Sequence, residues 1–324
     1  MAHVTGTSAT ALAYYNNLIS FLTTNAALVA ANQDWDIVWT ATAGQGAGVV
    51  LRGPGLSSQD QVYVGMRLFQ NVPSDQYWIE FVGMTAILPS ASSYRDHVNV
   101  SPLTVRMFLS AGAMTHWFIA NGRRFIAVAK ISTVFESAYC GFIMPYAVPT
   151  SYPYPLLIGA CAGDVTLAQS PPLDWRSESV NHRNFMSPQR STSQIAFPSA
   201  SMLDPAGTWQ QIANIDAPAS IRIGPENMAG DYFHTSPSDG NSYQADYVRS
   251  RQGDAFGGTK ALLPATLVQV EPTDQTFGVF DGAFRCQGFA NASENLITVN
   301  GVNHLVVQNV FRTGLGEYMA VALE

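Results

Sequence analysis

From Gln61 to Phe69, Val62, Val64, Met66 and Leu68 alternate with Gln61, Tyr63, Gly65 and Arg67. A period of two sends alternate side chains to opposite faces, which fits a strand and not a helix. Strand-like runs recur at Trp35–Thr40, Val49–Arg52, Tyr77–Met84, Leu103–Leu109, Thr115–Ala120, Arg123–Ile131 and Phe135–Met144. They return at Leu262–Val270, Gly278–Gly288, Leu296–Val299, Val302–Arg312 and Tyr318–Leu323. Turn signals bound them: Gly53-Pro54-Gly55, Asn121-Gly122, and Asn300-Gly301 between two β-branched runs. Arg123 to Ile131 is apolar on both faces, as expected of a central strand covered on both sides. The chain therefore reads as mainly β, a β-sandwich or barrel-like core formed by residues 33–160 together with 261–324.

Two stretches break this pattern. Residues 8–32 read as helix, because Leu12, Tyr15, Ile19, Leu22, Ala26 and Val29 fall on one stripe. Thr7 or Ser8 is the expected N-cap, and the weak patch Thr23-Thr24-Asn25 allows two short helices with Asn25 capping the second. Residues 1–32 are thus an N-terminal helical arm. Residues 161–260 are rich in Ser, Pro, Asn, Asp and Gly and have few apolar runs. They read as a loop-rich insertion with short strands at Ser193–Phe197 and Ile221–Ile223. Pro145, Pro149, Pro153 and Pro155 make 145–155 an extended connection outside any ladder.

Charge narrows the function. Only 12% of the 324 residues are charged, about half the ~25% of an ordinary soluble domain. Of 16 basic residues only Lys130 and Lys260 are lysines, and the net charge is -7. This argues against a nucleic-acid groove, which needs a basic stripe. Sparse Lys with retained Arg and aromatics suits a surface covered by other subunits. No apolar run approaches the ~20 residues of a membrane span, and no signal peptide is visible, so assembly in a cytoplasm is expected.

Chemistry-bearing motifs are few. Gly44 to Gly48 is not G-x-G-x-x-G, and Gly253 to Lys260 misplaces the lysine of a phosphate loop, so both read as turns. Cys140, Cys161 and Cys286 lack metal or redox spacing and read as buried thiols. The six histidines are isolated, and His304 faces Ile297 in the predicted hairpin, as a satisfied, partly buried side chain. Asp34 and Asp36 share a strand face and read as an edge-blunting charge pair rather than a cation site. No cofactor, metal or catalytic residue is assigned. One loop stands out: Asp231, Asp239, Asp246 and Asp254 lie among Tyr232, Phe233, His234, Tyr243 and Tyr247. Aromatics with carboxylates can hold a glycan or a protein partner, which makes residues 231–254 the candidate contact region; a hydrolytic carboxylate pair and a plain solvated or interfacial loop are the other readings.

Several stretches are familiar together: 28–35, 53–65, Ala120-Asn121-Gly122-Arg123-Arg124-Phe125 through Lys130, Tyr139-Cys140-Gly141-Phe142 through Leu156, Asp281-Gly282 through Asn295, and Val307 through Gly314. With them the chain resembles a group of virion structural proteins of tailed bacteriophages, usually found among tail or tail-associated genes. The 162–260 region matches least. The resemblance implies a non-enzymatic particle component of tail, neck, collar or baseplate. It would be assembled in the host bacterial cytoplasm as a symmetric oligomer with copies of itself and other virion proteins. A host-surface glycan module using the 231–254 loop is the alternative.

Overall fold

The computed structural model describes residues 1–41, 48–55, 60–163, 174–178, 182–186, 199–212, 221–224, 262–269, 275–286, 291–312 and 318–324. In chain order they form β1 (Ala2–Ser8), α1 (Ala11–Thr24), α2 (Ala26–Ala30), β2 (Asp36–Thr40), β3 (Gly48–Gly53), β4 (Val62–Asn71), β5 (Gln76–Met84), β6 (Val105–Leu109) and β7 (Met114–Ala120). Then come β8 (Arg124–Ile131), β9 (Val134–Phe142), β10 (Met144–Pro145), β11 (Leu156–Gly159), β12 (Ala162–Gly163), β13 (Ala200–Leu203), β14 (Trp209–Gln211) and β15 (Ile221–Gly224). The last five are β16 (Leu263–Gln269), β17 (Gln275–Cys286), β18 (Leu296–Val299), β19 (Val302–Gln308) and β20 (Tyr318–Leu323). The described residues are mainly β, 54% strand and 10% helical, as the alternation implies.

The strands form three sheets. The central one runs β1-β7-β8-β9-β11-β13-β14. One outer sheet runs β12-β6-β5-β4-β3-β2, the other β15-β16-β17-β20-β19-β18 with β10 also on β17. Strand β8 shows the layering. Its Phe125, Ala127 and Ala129 pack with Leu51, Val64 and Phe81 of the first outer sheet. Its Ile126 and Val128 pack with Leu267, Phe280 and Val321 of the second. The fold is therefore a three-layer sandwich, and the two-sided apolarity of 123–131 marks its middle strand, as expected.

The helical segment differs from the sequence reading in three ways. Residues 2–8 form a strand, paired in register from Ala2↔Ala120 to Ser8↔Met114. The N-cap is Thr10, whose hydroxyl accepts from the Ala13 N–H at 3.1 Å. The buried stripe is Ala11, Tyr14, Tyr15, Leu18, Phe21 and Leu22, whereas Leu12 and Val29 are exposed. Both stripes satisfy a 3.6-residue period, and the aromatic pairs of Tyr14 and Phe21 with Phe118 select the observed one. Burial of Leu18 and Leu22 contributes roughly 1.5–3 kcal/mol each. The break at Asn25 is as expected: its side-chain oxygen accepts from the N–H groups of Ala27 and Leu28, starting α2.

The two Asn-Gly hairpins behave differently. At Asn300-Gly301 both φ angles are positive, 51° and 82°, as a two-residue turn between Val299 and Val302 requires. At Asn121-Gly122 the turn is shifted by one. The Asn121 N–H donates to the Arg124 carbonyl, and the Asn121 Oδ1 accepts from the N–H groups of Arg123 and Arg124. The asparagine there works as a side-chain cap.

The stretch read as a loop-rich insertion supplies β13 and β14 to the central sheet and β15 to the second outer sheet. Met202, Ile212, Ile221 and Ile223 are fully buried. Strand β15 lies where a short strand was expected, while 193–197 falls outside the described residues. Asp36 sits on edge strand β2 and pairs with Arg52 at 2.5 Å.

Candidate functional site: an apolar strap beside a buried polar hub

Tyr232, Phe233, His234, Tyr243 and Tyr247, with the four nearby aspartates, lie outside the described residues. The surface that stands out among the described residues is the strap from Ile143 to Pro155. Met144, Tyr146, Val148 and Tyr154 expose 42%, 64%, 62% and 37% of their surface. Apolar side chains clustered at a surface in this way mark contact sites.

Local chemistry holds this strap in place. Contrary to the expected extended connection outside any ladder, Met144 and Pro145 pair with Val279 and Gly278, and bends and a turn make up most of the rest. Gly278 permits this approach, because a Cβ there would collide with the Met144 carbonyl. The Tyr146 N–H donates to the Phe277 carbonyl at 3.0 Å. A turn follows in which the N–H groups of Ser151 and Tyr152 donate to the Val148 carbonyl. Tyr152 is buried and its hydroxyl donates to the Leu203 carbonyl at 2.5 Å. The Ile143 N–H then donates to the Pro155 carbonyl, closing the loop. The exposed side chains are thus presented on an anchored backbone. Beside them lies a cleft of about 370 Å³ walled by Arg123, Asp60, Phe142, Tyr154 and strap prolines. The Arg123 guanidinium lies 6.0 Å from the Phe142 ring centre and 3.6 Å from Asp60.

Behind the cleft, residues far apart in the sequence converge. Arg124 on β8 is fully buried, with Nε 3.2 Å from Asp281 Oδ2 on β17. Asn121 Nδ2 donates to the same carboxylate at 2.9 Å, and Arg124 Nη2 donates to Met1 Sδ at 2.7 Å. Trp35 Nε1 donates to the Asn121 carbonyl at 2.9 Å. The Gly55 N–H donates to the Gly122 carbonyl at 2.8 Å. Gly282 leaves room for the guanidinium, which a Cβ at that position would strike. This hub ties the central sheet to an outer sheet. Its long sequence separations hide it from any local motif.

A second buried pair was equally invisible. His182 Nε2 lies 2.7 Å from Glu136 Oε1, both fully buried, and Nδ1 lies 2.9 Å from the Ser177 carbonyl. Burial pushes the His182 pKa down, but the Glu136 carboxylate and the Ser177 carbonyl outweigh it and raise it above the usual imidazole value. A raised folded pKa stabilises fully below the unfolded value of about 6.5 and is lost as pH rises through the folded one. The urea midpoint should therefore fall with rising pH above about 6.5, and His182→Gln should flatten that slope. Neighbouring Cys161 is driven the other way: burial and Glu136 push its thiol well up, so it stays protonated and unreactive. All three cysteines are buried, in line with the packing role read for them. His304 is buried and opposite Ile297, with Nδ1 3.2 Å from that residue's carbonyl, as anticipated.

On the outside of the first outer sheet, Glu80 accepts from Trp78 Nε1, Tyr94 Oη and Arg67 Nε at 3.0, 2.7 and 2.8 Å. Burial pushes its pKa up, but these hydrogen bonds and the charges of Arg67 and Arg106 hold it below the usual carboxylate value. Like the hub, this cluster braces strands. Among the described residues no group of three or more His, Cys, Asp or Glu side chains is placed to hold a metal ion. Compared with models of known protein families and with curated proteins, the chain matches none.

Proposed function

We propose that this chain is a structural subunit of a tailed-bacteriophage particle, in its tail, neck, collar or baseplate, working through contacts with copies of itself and other particle proteins. The observation that carries this reading is the strap: four exposed apolar side chains on a backbone pinned to two sheets, in a chain only 12% charged. A rigid apolar projection suits a permanent contact, because little conformational entropy is lost when it is covered. The low Lys content suits a surface occupied by neighbours. The convergence of resembling stretches at the Arg124–Asp281 hub supports the same reading, since the likeness then concerns a shared scaffold.

Mass spectrometry of purified particles should find the chain as a stoichiometric component, and its absence there removes the reading. Tyr146→Asp combined with Val148→Asp should leave the circular dichroism unchanged, because both side chains are exposed, while reducing incorporation into particles by about tenfold or more.

A further inference from the structure

Among the described residues six strands end the three sheet paths, and five of them carry a feature that discourages pairing with another chain. Strands β12, β14, β15 and β18 are only two, three, four and four residues long. Strand β2 has five residues, a register slip between Ile37 and Trp39, and the charged Asp36. Short length, irregularity and charge are the devices by which sheet edges avoid addition of a further strand.

Strand β1 has none of them. It is seven residues long, pairs with β7 without a register slip, and contains no Lys, Arg, Asp, Glu or Pro. Among the described residues nothing hydrogen-bonds to its outer edge. His3, Thr5 and Thr7 are exposed. Such an edge presents a row of backbone donors and acceptors ready to be completed.

We infer that β1 pairs antiparallel with β1 of a second copy of this chain, joining two central sheets into one across a two-fold axis. The strand's own sequence selects this occupant. A two-fold axis at Thr5 sets Thr5 against Thr5 and His3 against Thr7 on the exposed face, and Val4 against Gly6 on the other. No like charges meet, and the threonine pair is a favourable cross-strand combination. The contact is isologous and closes at two copies. Seven ladder residues alone fall short of the ~1,200 Å² of a stable interface. Flanking surface is at hand: a hollow of about 280 Å³ between β1 and α1, walled by Val4, Phe21 and Phe118. This pairing stands on the edge itself and not on the particle reading.

Sedimentation equilibrium of the full chain tests it. The wild type should be dimeric, and Thr5→Lys with Thr7→Lys should raise the dissociation constant about tenfold or more with unchanged circular dichroism. Thr5→Cys should give a disulfide-linked dimer under mild oxidation, since the native cysteines are buried. That variant decides the matter if the lysine variant fails to fold. A monomeric wild type overturns the inference, whether or not another particle protein binds the edge. So does a folded lysine variant with the wild-type oligomeric state, or a Thr5→Cys chain that forms no cross-link.

Discussion

Asp281→Ala should lower the stability of the folded chain by about 3 kcal/mol, read as a fall in the urea midpoint. The reason lies with Arg124. Its guanidinium is fully buried and has Asp281 as its ion-pair partner. Removing the carboxylate leaves a positive charge between two sheets, with Met1 Sδ as a weak acceptor. The partial exposure of Asp281 places the effect at the low end of the range for broken buried pairs. Replacing both partners, Arg124→Met with Asp281→Ala, should recover most of the loss, because no uncompensated charge then remains. A double-mutant cycle would show strong coupling between the two positions. Equal and additive losses would mean that the pair contributes packing and little else.

Gly141→Ala should be at least as damaging. Gly141 has φ of 135°, a region L-residues rarely adopt, so a methyl group adds backbone strain of roughly 1–3 kcal/mol. A Cβ would also run into the Arg123 carbonyl and Cα of Arg124. Those are backbone atoms at the turn into β8, which pairs with β9 at Arg124↔Gly141, and they cannot move without opening the central sheet beside the hub. On the other side Gly141 is opposite Leu157 of β11. The expected result is a drop in thermal midpoint larger than that of Gly207→Ala, where φ is also positive but no atom lies within 4 Å.

What could be read in the chain without its structure followed the reach of each signal. Asn300-Gly301 names its own turn, so the hairpin and the placement of His304 opposite Ile297 came with it. Asn25 caps a helix through atoms only two and three residues away, which is also a local matter. Strand β1 was missed because its residues carry almost no apolar alternation; pairing with β7, more than a hundred residues on, makes it a strand. The helix stripe was misphased because the choice between Leu12 and Tyr14 depends on Phe118. The site fared worse. Arg124 with Asp281 and Glu136 with His182 are partners across many strands, and each residue alone is an unremarkable charge. The prolines marked the strap as a break between strands, but its pairing at Pro145, its turn at Val148 and its exposed apolar side chains follow from where Gly278 and Leu203 receive it.

The position of β20 has a consequence for how the fold is reached. In the second outer sheet β17 and β19 do not pair with each other; each pairs with β20, which lies between them. The β18–β19 hairpin can close early, since its strands are joined by a tight turn. Strand β20 follows β19 in the chain and extends that hairpin into a three-strand meander, whereas β17 joins only on the far edge of β20. Loop closure over a longer separation precedes the contacts that reward it, so the β17–β20 pairing should form later than the meander. Until residues 318–323 settle, the edges of β17 and β19 stay open to foreign strands, and the newly made chain is most vulnerable to aggregation in that interval.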